Sequence, residues 1–78
     1  MSLLTKSEKI QIVNSHIRAL ESNKYNIELD ILKEESKSEQ NTTLIESLNS
    51  SKTLADNQIL VLLEELARVQ EIVELEEE

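Results

Sequence analysis

Apolar positions recur along this chain at alternating steps of three and four through two long stretches, and one polar stretch separates them. In the first, Ile10, Val13, Ile17, Leu20, Lys24, Ile27 and Ile31 keep the rhythm, and Glu34 and Ser38 continue it in polar form. In the second, Ile45, Leu48, Lys52, Ala55, Ile59, Leu62, Leu66, Val69 and Val73 do the same. Such spacing holds side chains on one seam of an α-helix and is the pattern of a coiled coil. Apolar density peaks between Asn57 and Leu75, where the consecutive run Ile59, Leu60, Val61, Leu62, Leu63 goes round the whole helix at about 100° per residue. A helix apolar on every side needs several neighbours. The run is far too short for the roughly 20 residues of a membrane span.

Local signals set the expected boundaries. Thr5, Lys6, Ser7, Glu8 reads as a capping box, which predicts helix 1 over about 6–40. The run from Ser36 to Thr43 has no apolar residue, and asparagine tolerates the left-handed conformation, so Asn41 is the expected terminator and the turn falls at about 41–43. Thr43, Leu44, Ile45, Glu46 repeats the capping pattern and predicts helix 2 over about 44–76. Ser47 to Asn57 is rich in residues that compete for backbone hydrogen bonds, which leaves a break near Ser50 open. Leu48, Lys52 and Ala55 nevertheless hold the seam phase across it, predicting one helix.

Two helices joined by a few residues run antiparallel. The expected fold is therefore all-α, an antiparallel two-helix coiled-coil hairpin spanning 1–78 as one unit and associating into a multi-helix bundle. Its seam sets Val13, Ile17, Leu20, Ile27 and Ile31 against Ile59, Leu62, Leu66, Val69 and Val73. Facing residue numbers in such a hairpin share one constant sum, and two sums fit. A sum of 86 sets Glu34 opposite Lys52, whereas 79 leaves both charges facing isoleucines. The cost of an unpaired charge in a seam favours 86.

Composition narrows the function classes. A 78-residue chain buries only about 60–70% of its unfolded surface, so a lone core is marginal and oligomerisation is the usual remedy. Glycine, proline and cysteine are absent, which excludes a glycine-rich phosphate cradle, a disulfide and a thiolate metal site. Residues 1–40 carry six basic and seven acidic groups, and residues 41–78 two and nine, so the formal charge of −8 belongs almost wholly to the second half. Such a balance argues against nucleic acid and against anionic lipid as partners. No apolar signal segment opens the chain, because Leu3 and Leu4 run at once into polar residues, and the cytoplasm is the expected site of synthesis.

No constellation of side chains points to catalysis, a cofactor or a small-molecule substrate. His16 has no cysteine or second histidine to share a metal with and reads as a rim residue. Glu34–Glu35 and Glu64–Glu65 are adjacent pairs that diverge by about 100° on a helix, so they read as solvated faces. Lys24 and Lys52 sit in the seam, either covering apolar surface with their stems or fixing register. Asn41 and Asn49 each begin a glycosylation sequon that carries no weight without a secretion signal. The informative surplus is apolar. Tyr25, Leu29, Leu32, Leu60, Val61, Leu63 and Ile72 lie off the seam and are the expected interaction surface, joined by Leu54 and Leu75.

The run SEKIQIVNSHIRALESNKYNIELDILKEE, followed by a polar turn and a heptad helix, resembles short helical proteins encoded by bacteriophages of aquatic bacteria and found near structural genes. That resemblance implies a virion-associated or assembly role and carries no functional residues with it. The sequence thus leads to a non-enzymatic structural or assembly module acting through helix packing, in a homo-oligomer or larger protein assembly and within a phage virion or tail. The alternative is a small acidic regulator that binds and inhibits a host protein.

Overall fold

The computed structural model describes residues 3–72. Helices α1 (Lys6–Glu35) and α2 (Thr42–Gln70) make up its regular structure and pack against each other along a hairpin. The start of α1 is the capping box read from sequence. Glu8 N–H donates to Thr5 Oγ1 at 3.1 Å and Thr5 N–H donates to Glu8 Oε1 at 3.0 Å. Each bond satisfies an amide that a helix start leaves without an intrahelical partner.

The other end of α1 departs from expectation. The helix stops at Glu35 rather than near residue 40, and the turn covers 36–41 rather than 41–43. Asn41 is not a left-handed terminator. With φ −87° and ψ 95° it caps the start of α2, its Oδ1 accepting from Leu44 N–H at 3.0 Å, and this displaces the capping box expected at Thr43 and Glu46. The cause lies in composition. Without glycine, and with no positive φ among the described residues, side chains must take the carbonyls that a left-handed cap would otherwise satisfy. Ser36 Oγ donates to the Lys33 carbonyl at 2.8 Å and Gln40 Nε2 to the Glu35 carbonyl at 2.9 Å. Meanwhile the Glu34 carboxylate reaches across the turn, accepting from Asn41 N–H at 3.1 Å and from Lys37 Nζ at 3.0 Å. That clasp joins the end of one helix to the cap of the next.

Beyond the turn, α2 runs unbroken past Ser50, as the seam phase requires, and ends at Gln70. The expected continuation to 76 includes 73–76, which lie outside the described residues, as do Val73 of the seam and Leu75.

Register follows the smaller sum, which corrects the preference for 86. Lys24 Nζ lies 2.7 Å from Asp56 Oδ1, and a groove near the open end brings Lys6 and Ile10 together with Gln70 and Ile72. These pairs sum to 76–82, centred on 79. In the 86 register Lys24 would face Leu62, about 9 Å along the axis from Asp56. The charge argument failed because it assumed that Glu34 could be satisfied only from the opposite helix, whereas the turn satisfies it from its own backbone and Lys37.

The core is a single stripe. Ile17, Ala55 and Val69 are buried, Val69 to 1% exposure, and Val13, Leu20, Ile27, Ile31, Ile59, Leu62 and Leu66 are half-buried. With principal extents of 60 × 15 × 14 Å, the molecule is one pair of helices thick. It exposes 5961 Å², whereas a compact monomer of 8.9 kDa would expose about 4,800 Å². In this register Ala55, the smallest seam residue, stands across from Lys24 and leaves room for its stem. Replacing Ala55 by leucine is therefore expected to cost about 1–3 kcal/mol in urea unfolding. Ser50→Ala on the exposed side should stay within about 0.5 kcal/mol. An Ala55→Leu chain as stable as its parent would show that Ala55 is not pressed against α1.

Candidate interaction surface

Each helix turns one stripe inward, so a hairpin has two flanks; heptad position decides which flank a residue joins, and the register decides what it meets there. On one flank, Lys24 leaves the seam sideways to meet Asp56, whose hydrogen bond raises the lysine pKa. Glu28 and Glu21 add attraction at longer range, which places them on that flank too. One helical turn from these acidic groups stand Tyr25, Leu32 and Leu60, with Leu63 a further turn along α2. On the other flank, His16 and Ala19 of α1 share a groove with Gln58 and Val61 of α2, floored by the seam residues Leu20 and Leu62. Further along it, Lys9 acts on Glu65, whose pKa is lowered chiefly by the hydrogen bond from Arg68. Arg68 and Glu65 form an ion pair within α2.

The residues expected to make one interaction surface are thus divided. Tyr25 and Leu32 are each 61% exposed and stand on the Asp56 flank with Leu60 and Leu63. Val61, 62% exposed, faces the opposite way, and Leu29 lies on the outer edge of α1. Ile72, also expected on the interaction surface, is half-buried in a groove beside Lys6 and Ile10. Sequence reasoning passed over Ile12 and Ala19, which join Val61 and Leu54 on the groove flank. Both precede a seam residue by one position, a signal that the heptad pattern alone carries.

Charge separates the flanks further. Among the described residues at the two heptad positions that border the seam on each side of each helix, the Asp56 flank carries Arg18 against Glu21, Glu28, Glu35, Glu46 and Asp56, a net of −4. The groove flank carries Lys9, Lys33 and Arg68 against Asp30 and Glu65, a net of +1. Five of these seven bordering carboxylates therefore stand on one side.

Chemical sites of other kinds do not emerge. Among the described residues there is no group of three or more histidine, cysteine, aspartate or glutamate side chains that could hold a metal ion, and no helix is long and apolar enough to cross a membrane. His16 is exposed at the rim of the groove. Glu64 stays on a solvated face, but Glu34 does not. It is only 5% exposed, because the turn folds over it.

The hydrogen bonds from Lys37 and then from Asn41 N–H hold the Glu34 pKa below the ordinary carboxylate value of 4.5. A carboxylate with a depressed folded pKa contributes stability that is present above its unfolded value and is lost as pH falls through the folded one. Glu34→Gln is therefore expected to lower the thermal midpoint at pH 7 by several degrees, and the gap to the parent should close as pH falls below about 4.5. Circular dichroism melts at pH 7 and pH 3 measure this. A gap unchanged between the two would mean that the ionised clasp contributes nothing.

Compared with protein-family models, with curated proteins and with solved structures, the chain finds no match.

Proposed function

We propose that this chain is a structural or assembly module that works by packing its helices against further helices, without catalysing a reaction. One observation carries this reading. The hairpin is one helix pair thick, yet Tyr25, Leu32, Leu54, Leu60 and Val61 are each more than half exposed, on top of a seam that is mostly half-buried. Burying a large apolar side chain contributes about 1.5–3 kcal/mol. A few such residues match the whole stability of a small domain. Association thus completes a core that the hairpin only begins. The resemblance noted from sequence adds a setting, in which such a module is a repeated part of a virion or tail.

A second reading is favoured by the charge of the Asp56 flank. Tyr25, Leu32, Leu60 and Leu63 within a net charge of −4 suit a basic, apolar groove on another protein, as an acidic regulator would require.

Sedimentation equilibrium across a wide concentration range, with circular dichroism on the same samples, separates the two. A helical oligomer that persists at low micromolar concentration is the expected result. A monomer with intact helices would overturn self-assembly and leave the regulator.

A further inference from the structure

We infer that the groove flank is the docking surface for a second copy of this chain, packed face to face about a two-fold axis to give a four-helix bundle. The inference rests on the assembly reading above and specifies its surface and copy number.

Charge is the first argument. Two identical surfaces brought together bring equal net charges together, so a large net charge of one sign opposes a self-complementary contact and a nearly neutral surface favours it. On a chain of net charge −8, the groove flank alone meets that requirement. Its centre is uncharged, since His16, Ala19, Leu20, Gln58, Val61 and Leu62 carry no formal charge at neutral pH. Toward its ends, Asp30 pairs with Lys33 at 3.6 Å and Glu65 with Arg68, so the charges there are already matched within each copy. Pairing through the Asp56 flank would instead set −4 against −4.

Shape and area give the second argument. Ala19 is the smallest side chain on the rim of the groove and lets a facing helix approach closely, while Val61, Leu54 and Ile12 stand out around it as apolar contacts. Asn57 and Gln58 at the edge supply amides that hydrogen-bond without adding charge. A helix of 30 residues is about 45 Å long, and the hairpin is 15 Å across, so one flank offers about 700 Å². Two copies would bury about 1,400 Å², inside the range of about 1,200–2,000 Å² found for stable interfaces.

The test is sedimentation equilibrium of the full chain, of Val61→Glu and of Leu32→Glu, with helicity followed on each. Both substituted residues are more than half exposed and glutamate is a good helix former, so neither change disturbs the hairpin itself. The expected result is a dimer for the parent and for Leu32→Glu, with Val61→Glu dissociating at least tenfold more readily at unchanged helicity. Should Val61→Glu lose helicity, Ala19→Glu on the facing helix makes the same comparison. A dimer that survives both Val61→Glu and Ala19→Glu, or yields only to Leu32→Glu, would overturn this surface while leaving self-assembly standing. A particle larger than a dimer would overturn the two-fold arrangement. A parent that is monomeric throughout would overturn the assembly reading and this inference together.

Discussion

The structure depends on one clasp, the Glu34 carboxylate closing over the turn to hold the Asn41 amide and the Lys37 ammonium. No described residue takes the left-handed conformation, so the reversal between α1 and α2 is built from side-chain bonds together with the Ser36 and Lys37 N–H groups, which donate to the Leu32 and Glu34 carbonyls. Six residues, 36–41, are needed where a glycine-containing turn could use fewer. Turn length then fixes where the two helices meet. Because the clasp includes the backbone amide of the residue that caps α2, it sets the axial position of the second helix against the first.

From that register the rest follows. Lys24 falls across from Ala55 and can pass its ammonium outward to Asp56, so the seam accommodates a cation without burying it. The same register brings His16 and Ala19 beside Gln58 and Val61, while heptad position keeps the five flanking carboxylates on the opposite side. A slip of one heptad would shift α2 by about 10 Å along the axis. The groove would then be lined by different residues. Which residues meet across each flank is in that sense decided at the turn, at the far end of the hairpin from much of what it organises.

Much of the fold was legible in the sequence because both helices are long and strongly periodic, and because the box at Thr5 and Glu8 is a purely local signal. The continuity of α2 through its serine-rich segment was legible for the same reason, since Leu48, Lys52 and Ala55 never lose phase. What could not be read was the turn. Nothing in the pattern shows that Glu34, seven residues from Asn41, bends forward onto its amide, and without that the charge in the seam looked as though it needed Lys52. The interaction surface was misjudged for a different reason. Heptad position alone puts Tyr25 and Leu60 on one side of the seam and Val61 on the other, whereas taking them only as off the seam made them one patch. The neutrality of the groove flank was likewise present in the heptad positions.

On the proposed pairing, the division of charge would also limit how far assembly goes. A surface that pairs with its own copy about a two-fold axis is used up by one partner, and further growth requires a second adhesive surface. Here the other flank does carry exposed apolar residues, Tyr25 and Leu32 on α1 and Leu60 and Leu63 on α2, and on area alone it could recruit a third copy. Its net charge of −4 opposes that, because each approaching copy would bring an identical acidic flank with it. The repulsion is screened by salt, with a Debye length of about 8 Å at physiological ionic strength, yet it acts at contact distances shorter than that. A basic partner meets no such barrier. The apolar residues on the acidic flank are thus protected from copies of this chain while staying open to a surface of opposite charge, so the two readings of its function can share one molecule on opposite sides.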